Sequence, residues 1–194
     1  MFTGCIDQCG KLINKEETPS GQRFHISCNY TDLAEGESIA VNGVCLTVTT
    51  QGSQKFSCDV SPETLAVTQL GQQEPGGALN LERSLKLGDR LNGHFVLGHV
   101  DETVVVTAKQ AEGSFLALHC RGISPAKKSL LVMKGCLTLN GVSLTVNFHD
   151  GDGFSVMLIP ETLKRTNLRS LSVGDHVNIE YDYLAKLMQN EKPL

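Results

Sequence analysis

The chain has 194 residues, a formal net charge of -4 and a pI near 5.8, with 40% apolar and 20% charged residues. This composition is typical of a folded globular chain of one or two domains, and it excludes a disordered or fibrous protein. The acidic balance, with no Lys/Arg run longer than two residues, argues against a nucleic-acid partner.

The first residues predict a chain without a targeting segment. Residues 1–5, MFTGC, lack the basic and then apolar regions of a signal peptide, and no apolar stretch reaches the length of a membrane span. We therefore expect a soluble, cytoplasmic protein with no membrane contact. The seven cysteines show no Cys-x-x-Cys spacing, which fits free thiols, and the six histidines lack the spacing of a metal site. No metal is expected.

A β-hairpin is predicted early in the chain. Residues 38–41 alternate polar and apolar side chains, Asn42 and Gly43 form a strong turn signal, and the alternation resumes over residues 45–49. Pro62 then opens a short helical turn, because proline is well suited to the first helical position.

The same features return 98 residues later. Residues 42–48, NGVCLTV, match residues 140–146, NGVSLTV, and the offset holds without a gap to Glu82 and Glu180. Over this stretch 17 of 41 positions are identical, so the chain carries a duplication. The start recurs at an offset of 94, where GCID at residues 4–7 answers GHVD at residues 98–101.

Six or so short strands per unit, with little helical periodicity, favour a closed barrel, because closure removes exposed strand edges. The predicted fold is all-β: two tandem six-stranded antiparallel Greek-key-type barrels with a short C-terminal helix. We expect an N-terminal barrel at 1–90, a C-terminal barrel at 91–185 and a tail or helix at 186–194. The helical pattern itself starts at Tyr183, with Leu184, Leu187 and Met188 on one face.

Both halves keep the same hydroxyl and carboxylate positions. These pairs are Thr47/Thr145, Glu63/Glu161 and Thr64/Thr162. Grouped near a barrel mouth, they would suit a ligand rich in hydroxyl groups, since each buried ligand hydroxyl needs a partner. β-propensity for the threonines and helix capping for the rest explain them equally well.

Other positions differ between the halves in chemically reactive ways. Cys45 corresponds to Ser143, Ser84 to Asp182, and Cys5 to His99. A reaction between two molecules requires two pockets that treat them differently, and these pairs would provide the difference. The structural alternative is that Cys45 is a small buried hydrophobic residue and His99 a structural histidine.

The motifs resemble the riboflavin synthases of the alpha type, which carry two lumazine-binding repeats. The resemblance rests on MFTG at residues 1–4, NGVCLTV at residues 42–48, GHFVLGHVD at residues 93–101, IPETL at residues 159–163 and VNIEYD at residues 177–182. It spans the chain from Met1 to about Asp182. Cys5, where an aliphatic residue is usual, and Asn140, where aspartate is common, depart from the pattern without threatening the fold.

The resemblance implies an enzyme that dismutates two molecules of 6,7-dimethyl-8-ribityllumazine into riboflavin and 5-amino-6-(D-ribitylamino)uracil. It implies no cofactor, since the pteridine ring accepts the electrons itself. It also implies a homotrimer in which the first barrel of one subunit faces the second barrel of its neighbour. With only 12 residues after Asp182, the expected C-terminal helix is short.

Matching motifs also carry over the site residues of the family. The implied catalytic residues are Phe2, Ser38, Cys45, His99, Lys134, Ser143 and Asp182. The implied substrate contacts are Gly4, Thr47, Ser61, Glu63, Thr64, Gly98, Val100, Thr145, Ile159 and Thr162.

Two other functions are alternatives to the enzyme. Non-catalytic relatives hold lumazine or flavin without converting it, and they tend to lose polar residues in one barrel. This chain keeps Cys45, His99, Ser143 and Asp182, which favours the enzyme over the carrier. A tandem barrel without any ligand would have to treat every shared polar position as packing.

Overall fold

The protein consists of two closed six-stranded antiparallel barrels, as predicted. The computed structural model describes residues 1–190. The first barrel contains β1 (Gln8–Thr18), β2 (Gly21–Ser27), β3 (Ser38–Val41), β4 (Val44–Gly52), β5 (Lys55–Val60) and β6 (Ala78–Arg83). The second contains β7 (Glu102–Glu112), β8 (Phe115–Arg121), β9 (Cys136–Leu139), β10 (Val142–Asp150), β11 (Gly153–Leu158) and β12 (His176–Tyr181).

Both barrels have the same topology. The strand order is β1-β2-β5-β4-β3-β6 in the first and β7-β8-β11-β10-β9-β12 in the second, and each sheet closes on itself. Short helices follow the equivalent strands: α1 (Pro62–Val67) after β5 and α2 (Pro160–Arg165) after β11, each with proline at its start. The duplicated sequence therefore produces a duplicated structure.

A third helix, α3 (Tyr183–Asn190), follows the second barrel directly. It confirms the helix predicted from Tyr183, and Leu184, Leu187 and Met188 are exposed on it. Residues 191–194 of the expected tail lie outside the described part of the chain. Among residues 1–190, none of the helices combines the length and the apolar character that a bilayer crossing requires.

Each barrel interior is filled by its own apolar core, so a ligand must bind outside the barrels. The first core includes Phe24, Ile39 and Leu81, all fully buried. The second includes Ile6, which comes from the beginning of the chain. Val100, at the beginning of the second unit, packs in turn against the first core. The two units thus exchange their leading segments.

The Asn-Gly turns meet where the two barrels join. Asn42 and Gly43 have φ angles of 46° and 80°, and Asn140 and Gly141 have 45° and 79°, as a tight hairpin turn requires. A Cβ atom on Gly43 would lie 2.7 Å from the backbone nitrogen of Gly141, and the reverse distance is also 2.7 Å. Only glycine permits this backbone contact.

Candidate active site

The leading segment of each unit is held by a buried glutamate. The Glu82 carboxylate accepts hydrogen bonds from the backbone N–H groups of Thr3 (2.7 Å) and Gly4 (3.0 Å). The Glu180 carboxylate accepts equivalent bonds from Leu97 (2.8 Å) and Gly98 (3.0 Å). Burial raises the pKa of both carboxyl groups, and the backbone hydrogen bonds oppose that shift.

Each leading segment then reaches the barrel of the other unit. The Ser143 N–H donates to the Gly4 carbonyl at 2.9 Å, and the Cys45 N–H donates to the Gly98 carbonyl at 2.8 Å. A Cβ atom on Gly4 would lie 2.6 Å from the Cβ of Ser143, and one on Gly98 would lie 2.6 Å from the Cβ of Cys45. Cys45 and Ser143, which differ between the halves, therefore occupy equivalent places near the starts of β4 and β10.

The contact at Ser143 borders a cleft of about 220 Å³ on the second barrel. Four of the expected site residues line this cleft: Gly4, Ser143, Ile159 and Thr162. Cys5, Ile6, Val142, Glu161, Arg165 and Thr166 complete it. The cleft is apolar on the side of Ile6 and polar on the side of helix α2, as a site for a ring with a polar chain would be.

The equivalent region of the first barrel gathers another group of expected residues. Phe2 is fully buried in a small cluster with Ala40 and Val96, and Cys45 packs against that cluster. Ser38 on β3 is the antiparallel partner of Thr47 on β4. The Phe2 backbone pairs with Val96 through hydrogen bonds of 2.7 and 3.2 Å.

Helix α1 follows β5 in the first unit as α2, which lines the cleft, follows β11 in the second. The Ser61 hydroxyl accepts a hydrogen bond from the Thr64 N–H at 3.1 Å, and the two hydroxyl groups lie 3.0 Å apart. Ser61 thus caps helix α1, a role that the structural alternative had assigned to other residues of this motif. Glu63 and Thr47 are exposed, as is Thr145 in the second barrel, so these side chains are accessible to a ligand.

Three expected residues lie outside the strands and helices. His99 is exposed directly after Gly98. Asp182 precedes α3, where its carboxylate accepts a hydrogen bond from the Leu184 N–H at 3.0 Å. Lys134 is exposed in the loop before β9 with a φ angle of 62°, a left-handed conformation that is rare outside glycine.

Lys134 corresponds to Gly36 in the first unit, and Gly36 has a similar φ angle of 85°. Their backbones make the same bond: the Lys134 N–H donates to Val146 and the Gly36 N–H to Val48. The second unit therefore places a lysine where the backbone favours glycine. Strain of this kind is often found at functional sites.

His94 is a residue of the site that the sequence reasoning missed. Its Nδ1 atom lies 2.8 Å from the Ser143 hydroxyl oxygen, and the residue is 8% exposed. Burial lowers the pKa of the imidazole, and the nearby Asp182 carboxylate opposes that shift. Comparing the halves could not reveal His94, because the offset of 94 places its counterpart before Met1. Its position inside the GHFVLGHVD motif was the available signal.

A larger cavity of about 430 Å³ lies beside the connection between the barrels. It shares Cys5 with the cleft but is lined mainly by charged residues such as Asp7, Arg83 and Lys86. None of the expected site residues borders it. The smaller cleft is thus the better candidate, since the expected residues converge there.

Comparison with known proteins shows the family to which the chain belongs. The lumazine binding domain family matches the chain twice, over residues 3–84 and 97–182. The riboflavin synthase of Chlamydia pneumoniae is 40% identical over 193 residues, which cover 96% of this chain and 92% of that protein. The riboflavin synthase of Mycobacterium tuberculosis (strain ATCC 25618 / H37Rv) is 39% identical over 97% of this chain and 96% of that protein.

The solved structures agree on the fold. The crystal structure of LumP complexed with riboflavin has a TM-score of 0.84 at 23% identity, covering 93% of this chain and 99% of that chain. LumP complexed with 6,7-dimethyl-8-(1'-D-ribityl) lumazine gives a TM-score of 0.82 at 21% identity. Both domain matches and the near full-length relatives confirm the resemblance, and the chain belongs to the riboflavin synthase family of proteins with two lumazine-binding domains.

Proposed function

We propose that this protein is an enzyme that converts two molecules of 6,7-dimethyl-8-ribityllumazine into riboflavin and 5-amino-6-(D-ribitylamino)uracil. The observation that carries this proposal is the pair of equivalent sites built around Cys45 and Ser143. Two regions with the same backbone contact, Gly98 on Cys45 and Gly4 on Ser143, suit two copies of one substrate, and their different side chains suit a donor and an acceptor. The relatives named riboflavin synthase, matched over nearly the whole chain, support the same conclusion.

The reaction transfers a four-carbon unit from one lumazine to the other. It starts with loss of a proton from the 7-methyl group, and the pteridine ring accepts the electrons, so no cofactor is required. The protein binds the two rings, orients them and moves protons. Holding two reactants in position contributes a large part of the rate enhancement in such reactions, about 7 to 11 kcal/mol in favourable cases.

In this proposal the two groups of polar residues have separate tasks. Cys45 and His99, with Phe2 and Ser38, act on the substrate bound against the outside of the first barrel. Ser143 and Asp182, with Lys134, act on the substrate bound against the outside of the second. The ribityl and ring contacts are Thr47, Ser61, Glu63, Thr64, Gly98 and Val100 in the first site, and Gly4, Thr145, Ile159 and Thr162 in the second.

We further propose that the units run from 1–90 and 91–185, with a tail at 186–194, and that the enzyme is a cytoplasmic homotrimer. In such a trimer the first barrel of one subunit faces the second barrel of a neighbour. The exposed Leu184, Leu187 and Met188 on α3 support an assembly role for that helix. A sizing measurement at several protein concentrations tests the trimer.

A lumazine or flavin carrier is the second candidate, because LumP has the same fold and its crystal structures hold riboflavin, the lumazine and flavin mononucleotide. The polar residues kept in both sites of this chain favour turnover over storage. In particular, Ser143 with its buried His94 lines an open cleft, which is an arrangement for chemistry as well as for binding.

The decisive experiment is to incubate the purified protein with the lumazine and follow the absorbance and fluorescence of riboflavin. We expect riboflavin without added metal or nucleotide. Tight lumazine binding without turnover would favour the carrier. Cys45→Ala and Ser143→Ala variants with an unchanged circular dichroism spectrum should lose activity to different extents, and equal negligible losses would contradict the assigned sites.

A further inference from the structure

The buried imidazole of His94 is connected to the site through one side-chain contact. Its Nδ1 atom lies 2.8 Å from Oγ of Ser143. Its backbone N–H donates to the Thr3 carbonyl at 3.1 Å, which fixes the residue against the leading segment of the chain. Within residues 1–190, the Nε2 atom is shielded from solvent and has no hydrogen-bond partner.

The orphaned Nε2 atom determines where the imidazole proton belongs. A neutral imidazole carries one N–H and one lone pair. A buried N–H without an acceptor is rarer in proteins than a buried acceptor without a donor. The favoured tautomer therefore leaves the lone pair on Nε2 and places the proton on Nδ1, where it faces Ser143.

This tautomer defines the direction of the Ser143 hydroxyl group. The Nδ1–H donates to Oγ, so the hydroxyl proton must point away from the imidazole. Over the described residues, Oγ of Ser143 has no other hydrogen bond. The backbone N–H of Ser143 donates to the Gly4 carbonyl. Ser143 lines the 220 Å³ cleft, so its hydroxyl group can donate a hydrogen bond to a ligand there.

We propose that His94 is a positioning residue that holds the Ser143 hydroxyl as a hydrogen-bond donor toward a carbonyl oxygen or ring nitrogen of the ligand in the cleft on the second barrel. This inference rests on the proposed function and deepens it. It assigns Ser143 the role of stabilising charge that develops on the ring. It excludes a role for His94 as the base that removes the Ser143 proton, because that role requires the opposite tautomer.

The charged surroundings are consistent with a neutral imidazole at neutral pH. Burial lowers the pKa of His94, and the charged group that acts on it is Asp182, whose negative charge works in the opposite direction. The backbone contact on the other side, through Thr3, is uncharged. The ring must be neutral, since a protonated imidazole would also carry an N–H at Nε2, where no acceptor lies among residues 1–190.

The first test reads the tautomer directly and does not need turnover. In protein labelled with ¹⁵N-histidine, long-range ¹H–¹⁵N spectra distinguish a protonated Nδ1 from a protonated Nε2, and His94→Asn identifies the His94 signal by its disappearance. We expect the Nδ1–H form near neutral pH and a shifted signal in Ser143→Ala. A dominant Nε2–H form would overturn the proposal, whether or not the protein proves to be a riboflavin synthase.

The second test compares two substitutions in the lumazine assay. Asparagine places an amide N–H close to the position of Nδ1, so His94→Asn keeps the donor, whereas His94→Ala removes it. We expect kcat to fall about tenfold or more in His94→Ala and to stay within about threefold of the unmodified protein in His94→Asn. His176→Asn, at an exposed position on β12, is the matched control.

Three results would overturn the inference. His94→Asn could be as inactive as His94→Ala, which would indicate a proton-accepting histidine. Both variants could be fully active, which would indicate a purely structural residue. His94→Ala could lower the activity of the Ser143→Ala variant by the same factor as it lowers that of the unmodified protein. This would show that His94 does not act through Ser143. An inactive unmodified protein would instead contradict the proposed function, and the tautomer measurement would still decide the inference.

Discussion

Gly98 lies so close to Cys45 that a Cβ atom on the glycine would stand 2.6 Å from the cysteine Cβ. The contact brings the leading segment of the second unit to the candidate site of the first barrel, with a hydrogen bond of 2.8 Å from the Cys45 N–H to the Gly98 carbonyl. Since the φ angle of Gly98 is 79°, both the space and the backbone conformation demand glycine.

Replacing Gly98 with alanine should therefore lower the free energy of unfolding by about 2 kcal/mol or more, through a steric clash added to backbone strain. The matched control is Gly36→Ala, because Gly36 has a φ angle of 85° but no atom within 4 Å of an added Cβ. We expect a loss of only about 1 kcal/mol there. Chemical denaturation measures both, and equal losses would mean that the Cys45 contact is not tight.

Lys134 provides a test that separates stability from activity. Lys134→Gly relieves the left-handed backbone at φ 62°, so the free energy of unfolding should rise by up to about 1 kcal/mol, while turnover of the lumazine falls because the ammonium group is lost. Gln54→Gly is the control, since Gln54 has a φ angle of 57° in a turn of the first barrel. It should gain stability without losing activity. If Lys134→Gly kept full activity, the proposed role of Lys134 in turnover would be contradicted.

The buried imidazole of His94 predicts a pH dependence of stability. Its folded pKa lies below the ordinary value of 6.5, so the unfolded chain binds the proton more tightly. The stabilising contribution is therefore complete above pH 6.5 and is lost as the pH falls from there toward the folded pKa. Melting temperatures across this range should decline less steeply in His94→Asn than in the unmodified protein. An identical decline in both would contradict a buried, neutral His94.

Cys5 reports on whether the cleft on the second barrel is occupied. It is exposed and lines the cleft, whereas Cys9 is exposed outside it. Iodoacetamide should modify Cys5 in the free protein, and saturating lumazine should protect Cys5 while leaving the rate at Cys9 unchanged. Burial raises the pKa of Cys58 and Cys120 to about 12, so these thiols should react only after unfolding. Peptide mass spectrometry gives all four rates, and unprotected Cys5 would place the ligand elsewhere.

The sequence predicted the barrels because their determinants are local. Asn42 with Gly43, and Asn140 with Gly141, specify hairpin turns, and the alternation on either side specifies the strands. The repeat then provided two independent readings of one fold. The prolines at 62 and 160 marked the starts of α1 and α2 for the same local reason.

The construction of the site was not predictable in this way, because it depends on contacts between the units. No local pattern shows that Gly4 packs on Ser143 while Gly98 packs on Cys45. The buried Glu82 and Glu180, which anchor the two segments, looked like ordinary strand residues. Comparing the two repeats also misses any residue that occurs in only one of them, and His94 is such a residue. The family resemblance supplied the residue types but not this arrangement.

The backbone contact between Gly43 and Gly141 gives the two halves the arrangement of an isologous dimer, because the same atoms meet from both sides. Unlike the subunits of a homodimer, however, the halves belong to one chain and need not be identical. Their ligand-facing positions can therefore differ, with a thiol at Cys45 and a hydroxyl at Ser143, whereas the contact at the axis requires glycine in both halves.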